Sequence, residues 1–278
     1  MAERRSRPVK FVRGVELRRD PAREPSFTVV HLHVEMADYD DMSAVSRRQR
    51  LHKHMHNEMQ NLEIVAQSLA DFPETPWELR LELARQCWDE SRHAEIFHRR
   101  LREIGGYKGE FPVLNYEWCV SGMMDSLPGR LALQNRTFEG GEMDLLRQLV
   151  TMWRAAGDDR TADMLEAILA DEIQHVRYAN RWLKRLASDN PRILIEVIKA
   201  LRFLETVTKA MAPEEGAVNA AGVLLTGWTH NRILTNLDDR RLGEFTELEL
   251  AELLRQEENV ASLGANLASE PAVFKSAD

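Results

Sequence analysis

The stretch DESRH, Asp89–His93, returns 82 residues further on as DEIQH, Asp171–His175. In each copy a Glu and a His stand three apart, a spacing that puts both on one side of a helix. A single Glu-x-x-His is common and means little, but two in register ask for a shared purpose. At the same offset Arg99 meets Arg181, Leu101 meets Leu183, and Glu58 falls one residue short of Glu139. The chain therefore repeats a helix pair, in which a Glu-bearing helix is followed by one carrying Glu-x-x-His. Two such pairs make a four-helix bundle with internal pseudo-symmetry.

The helical pattern agrees. Breaks at DFPETPW (71–77), IGGYKGEFPV (104–113) and AAGDDR (155–160) delimit long helices near 43–70, 76–103, 128–155 and 159–187. A shorter helix is expected around Trp118. After SDNP (188–191) a further helix runs to about Met211, and two more amphipathic helices and a frayed tail follow. Residues 1–25 read as a mobile or loosely draped arm, and FTVVHLHVEM (27–36) as one short strand or hairpin arm. The fold class is all-α: an arm over 1–42, a four-helix bundle over 43–187, and a helical extension over 188–278 packed on the bundle.

A net charge of −8 argues against a broad nucleic-acid surface, and two cysteines are too few for a disulfide framework, so the cytoplasm is the expected compartment. No secretory signal and no apolar run long enough for a membrane span is present. No phosphate-binding glycine loop, dinucleotide fingerprint, serine-nucleophile elbow or paired Cys-x-x-Cys competes for the chemistry.

Helical spacing places the acids. Leu51, Met55, Leu62, Val65 and Leu69 surround Glu58 on one stripe. Leu79, Leu83, Cys87, Ala94, Phe97 and Leu101 do so for Glu90; Leu165, Ile168, Leu169, Val176, Ala179 and Leu183 for Glu172. Glu139 is followed by Met143, Leu146 and Val150. Arg and Lys are largely missing from these stripes, and a buried carboxylate without a cation costs several kcal/mol or more, so a metal is the simplest partner. With His93 and His175 the set is four Glu and two His, the ligand pattern of dinuclear iron and manganese carboxylate bundles. Oxygen-rich ligation without thiolate suits iron or manganese better than zinc or copper. Glu90 and Glu172 are the natural bridges, with Glu58 and Glu139 terminal.

HNEMQNLEIV, DESRHAEIFHRRL, GEFPVLNYEW, RLALQNRTFEGGEMD and DEIQHVRYANRWLKRL together resemble the ferritin-like di-iron superfamily, and more narrowly the domain-of-unknown-function 455 family. The likeness covers about residues 45–190. It implies a ferritin-like fold and a dinuclear centre of two Fe ions (Fe/Fe or Mn/Fe), without an established substrate. The function expected is an oxidase or oxygenase that activates O2 or peroxide on a small organic or peptide substrate, with an external electron donor and Glu58, Glu90, Glu139 and Glu172 as the working carboxylates. Peroxide scavenging and non-enzymatic metal binding are the alternatives. An RNA-modifying hydroxylase, known from a relative by fold, would need a basic groove built from Arg4, Arg5 and Arg7 or from Arg47, Arg48 and Arg50. The C-terminal helices could form a lid, a homodimer interface or both.

Several residues stay open at this stage. In the resembling oxygenases an Asp preceding the metal Glu holds the His on the opposite helix, which pairs Asp89 with His175 and Asp171 with His93; a solvated surface Asp is the alternative. Glu142, three after Glu139, joins the candidate metal ligands, and Glu63 is a weaker one. Gly140 and Gly141 beside Glu139 point to a π-bulge or to room for a ligand, or to a plain helix start a few residues later. Cys87 reads first as a small buried hydrophobe, with a cavity-lining role the alternative, and Tyr178 first as a packing residue, with a redox-active or hydrogen-bonding neighbour of His175 the alternative. His52, His54 and His56 in HKHMH, and His31 and His33, read as partly exposed rather than as a second metal site.

Overall fold

The computed structural model describes residues 8–214, 216–225 and 234–255. Helices α1 (Ala44–Asp71) and α2 (Trp77–Glu103) pack as one antiparallel pair. The third long helix is continuous in three parts, α4 (Leu127–Leu131), a π-helical segment (Ala132–Glu139) and α5 (Gly140–Ala155), and its α5 part packs on α6 (Asp159–Asp189). The short helix α3 (Tyr116–Ser121) lies in the connection between the pairs, α7 (Ile193–Met211) lies against α4, and α8 (Leu237–Leu242) touches α5 and α6. Helical residues resume at 247. This is the expected all-α ferritin-like bundle. Part of the C-terminal stretch expected to be helical, 256 onward, lies outside the described residues.

Local chemistry sets the ends. Ser43 caps α1 by accepting from the Ser46 amide, and Asp158 caps α6 by accepting from the Thr161 amide. Gly157, at φ 76°, turns the chain between α5 and α6 in the left-handed conformation that a side chain would resist.

The bundle buries two apolar clusters along its length. One gathers Leu51 and Met55 of α1, Phe97 and Leu101 of α2, Met143 to Trp153 of α5 and Leu165 to Val176 of α6. The other gathers Val65, Leu79, Leu83, Leu131, Tyr178 and Trp182. Glu58, Glu90, His93 and Glu139 fall between them along their helices, so the polar centre is sealed above and below by hydrocarbon.

The N-terminal arm is more ordered than the sequence suggests. Val9–Val12 and Val15–Arg18 form an antiparallel hairpin, β1–β2, through a two-residue turn at Arg13 (φ 46°) and Gly14 (φ 80°). Residues 9–18 alternate and carry a Gly at the turn, the short-range hairpin signature that their Arg content obscured. Leu17 and Val12 bury into a third cluster with Trp118 and Val120. The strand expected over 27–36 shrinks to β3 (Val29–Val30), paired in parallel with β4 (Val113–Leu114), followed by a 3-10 turn at His33–Glu35.

Candidate metal centre

Six side chains from the four long helices converge. Glu58, Glu90, His93 and Glu172 form one group, and Glu90, Glu139, Glu172 and His175 a second, each with ligand-type atoms within 4.8 Å of one another. All six residues are buried. Glu90 and Glu172 belong to both groups, and the oxygens divide between them. Glu90 presents Oε2 to His93 Nδ1 (3.6 Å) and Oε1 to His175 Nδ1 (3.4 Å); Glu172 presents Oε1 to His93 Nδ1 (3.2 Å) and Oε2 to His175 Nδ1 (3.2 Å). Each therefore spans two positions, while Glu58 reaches only the first and Glu139 only the second.

The imidazoles are aimed from behind. His93 Nε2 lies 3.2 Å from Asp171 Oδ2, and His175 Nε2 lies 3.4 Å from Asp89 Oδ2, the cross-helix pairs that the family resemblance implies. A carboxylate only accepts, so each Nε2 carries the proton and each Nδ1 turns its lone pair toward the carboxylates. Arg92 ties the supports together, donating to Asp89 Oδ1 at 3.0 Å and Asp171 Oδ2 at 2.6 Å.

Lone pairs facing carboxylate oxygens repel unless something positive sits between them. Protons can fill that role. Burial opposes charge on His93, yet the Asp171 carboxylate behind it and the Glu172, Glu58 and Glu90 carboxylates around it hold its pKa far above the usual imidazole value. Burial likewise pushes the Glu58 carboxyl well up, with Glu142 repelling it further, and pushes Glu139 up, with Glu90 adding to it. Glu172 is also desolvated, but the adjacent His175 charge draws it down to about 2. Metal ions fill the role as well, and the donor set fits them: Glu58 Oε1 and Oε2, Glu90 Oε2, Glu172 Oε1 and His93 Nδ1 are all buried without a hydrogen-bond partner, and they come from the four residues of the first group.

Sequence reasoning missed the support around Glu139. Its Oε1 accepts from Gln86 Nε2 and from Gln134 Nε2 (3.2 Å), and its Oε2 accepts from Asn135 Nδ2 (2.9 Å). Winding with i→i+5 hydrogen bonds brings residues four and five apart onto one face, which lets Gln134 and Asn135 both reach Glu139. Gly140 has its own reason: a Cβ there would lie 2.5 Å from Arg240 Nη1, and the Arg240 guanidinium is bonded to Asp144 at 2.7 Å. Around Gly141 the space is open.

Glu142 enters neither group. It is buried beside the centre, with Oε1 3.3 Å from His54 Nδ1. Glu63 points elsewhere and is held by Arg23 at 2.7 and 2.8 Å. The HKHMH histidines, read as partly exposed, are all buried and face three directions: His52 Nε2 accepts from the Gly109 amide (2.9 Å), His54 meets Glu142, and His56 Nε2 accepts from Arg23 Nε (3.1 Å). Glu117 of α3 is a further acid that was not singled out. Its Oε2 is buried without a partner, and burial, with repulsion from Glu142, pushes it up to about 8. An acid within the otherwise apolar YEWCV was the available signal. Both cysteines are free, and Cys87 packs beside the second apolar cluster.

A ferritin-like bundle with buried carboxylate and histidine groups able to hold metal ions is the class that fold and site define. The chain belongs to the family described as "Protein of unknown function (DUF455)", which matches residues 2–220. It is also similar to a bacterioferritin of Streptomyces coelicolor, 28% identical over 129 residues, which cover 46% of this chain and 68% of that protein. No solved structure matches. Among the described residues no helix is long and apolar enough to cross a membrane.

Proposed function

We propose that the protein is a dinuclear-metal oxidoreductase, with two iron ions or one manganese and one iron, that uses O2 or peroxide to oxidise a small organic or peptide substrate. The observation that carries this reading is the pair of four-residue groups sharing Glu90 and Glu172. Four carboxylates balance two divalent cations, and with neutral imidazoles the buried centre becomes charge-neutral. Redox-active ions held there would supply the electrons that reduce the oxidant.

The chain's own residues do the rest. Glu58 and His93 hold one position, Glu139 and His175 the other, and Glu90 and Glu172 join them. Asp171 and Asp89 keep each Nε2 protonated and each Nδ1 directed inward. Glu117, which burial and repulsion from Glu142 push up to about 8, is placed to hold a proton on the α3 side. The two apolar clusters keep bulk water from the ends of the centre.

Similarity to a bacterioferritin favours a second reading, in which iron itself is the material oxidised. Oxygen uptake after anaerobic Fe(II) loading separates the two. An oxygenase-type centre stops near two irons per chain and needs added reductant to turn over. An iron-oxidising protein goes on consuming O2 as Fe(II) is added beyond that ratio. Wild-type protein that takes up no iron or manganese at all would sink both.

A further inference from the structure

The unpartnered atoms of the centre are distributed unevenly. Glu58 Oε1 and Oε2, Glu90 Oε2, Glu172 Oε1 and His93 Nδ1 lack a hydrogen-bond partner, and Glu58 Oε2 (3.5 Å), Glu90 Oε2 (3.6 Å) and Glu172 Oε1 (3.2 Å) all face His93 Nδ1. On the His175 side the Glu90 and Glu139 oxygens are engaged by side-chain amides. Glu90 Oε1 accepts from Gln86 Nε2 at 2.7 Å, and Glu139 accepts from Gln86, Gln134 and Asn135.

Resting on the dinuclear reading above, we propose that the two positions fill in order, the Glu58–His93 position first and the Glu139–His175 position second, and that Gln86 is the latch that sets the gap between them. A cation entering the first position meets only orphaned donors, so it satisfies buried groups that nothing else satisfies. A cation entering the second must displace an amide already donating to both Glu90 and Glu139, two of the three carboxylates it needs. Gln86 is fixed in that orientation because its Oε1 accepts from the Tyr178 hydroxyl and from Asn135 Nδ2 at 2.9 Å. Turned the other way, the amide would point its oxygen at two carboxylates and its nitrogen at two donors.

Gln86 also has somewhere to go. It lines, with His175, Tyr178 and the rim residues Arg85, Arg177 and Arg181, a cleft of about 120 Å³ between α2 and α6. Releasing the amide into this cleft would free Glu90 Oε1 and remove one of the two donors to Glu139 Oε1 without disturbing α1. The Glu58 position needs no such movement.

Anaerobic titration with Mn(II), followed by calorimetry and electron paramagnetic resonance, tests the order. Wild-type protein should bind in two steps at least tenfold apart, with an isolated-ion spectrum up to one equivalent and a spin-coupled one only beyond it. Gln86→Met, close in volume but without a donor, should tighten the second step about tenfold and leave the first alone. Tyr178→Phe, which frees only the far end of the latch, should shift the second step in the same direction by less, and it serves if Gln86→Met does not fold. Glu58→Ala should abolish the tight step. Two equal affinities in wild type, a coupled spectrum from the first addition, or a Gln86→Met effect confined to the first step would each overturn the latch while leaving a dinuclear centre standing. No Mn(II) or Fe(II) binding at all would overturn the dinuclear reading itself.

Discussion

The α1–α2 pair and the α5–α6 pair carry the same motif and hold it by different means. Glu58 stands in the middle of an unbroken 28-residue α-helix with no donor to either oxygen, whereas Glu139 stands at the junction of a π segment and α5, gripped by three side-chain amides. Behind Glu139, Gly140 admits Arg240 from the C-terminal part of the chain; α1 is covered instead by the N-terminal arm, through Arg23 and Phe27. A sequence repeat can thus preserve the chemistry of a site while its supports diverge, so two chemically similar positions need not behave alike.

The strongest challenge to the comparison removes what the two halves share. Glu90→Ala takes a ligand from both groups, and metal content should fall from about two ions per chain to near zero by elemental analysis. Retention of one full equivalent would mean that the halves are independent. Next come the supporting acids. Asp171→Asn should weaken the His93 position, and Asp89→Asn the His175 position, each by roughly 10–100-fold, read as separate steps of a metal titration. Equal loss at both positions from either change would point to coupling through Arg92 instead.

Acid should open the first pair before the second. Burial lowers His52 to about 4 and His56 to about 3, and both act as hydrogen-bond acceptors. Their folded pKa values lie below the unfolded value, so their stabilisation is complete above about pH 6.5 and drains away as pH falls toward 4 and then 3. The loss is on the order of 3 kcal/mol for His52 alone. The matching stretch of the second pair, LQNRTF, holds no histidine. Hydrogen exchange between pH 7 and 4 should therefore show α1 amides losing protection first; simultaneous loss in α5 would contradict this.

The smallest effects set neighbours against each other. Gly140→Ala drives a methyl into the Arg240 guanidinium and should cost about 1 kcal/mol or more in urea unfolding. Gly141→Ala meets open space and should stabilise by up to about 1 kcal/mol.

What was legible in the sequence is what helical periodicity encodes. Glu58, Glu90, Glu139 and Glu172 stand out because each sits inside an apolar stripe, His93 and His175 because they lie three residues after a stripe Glu, and Asp89 and Asp171 through the family resemblance. The remainder depends on contacts between distant segments. HKHMH looked partly exposed because its histidines fall on no single helix face, but the arm, the loop at Gly109 and Phe111, and α5 cover α1 from several sides at once. Gln86, Glu117 and Glu142 gain their meaning only from neighbours on other helices, and Gln134 and Asn135 only from a winding that residue types barely signal.

The π winding also bears on how this family can change length. One residue of α-helix turns the chain by about 100°. A further residue inserted within 132–138, where the winding already holds one more per turn than an α-helix, would therefore rotate α4 by that angle against Glu139, swinging Gly129 away from Ala200 of α7, whose Cβ lies 3.6 Å from where a Gly129 Cβ would sit. Length in this segment is consequently constrained from both ends, so indels among relatives should collect in the loops and spare these residues.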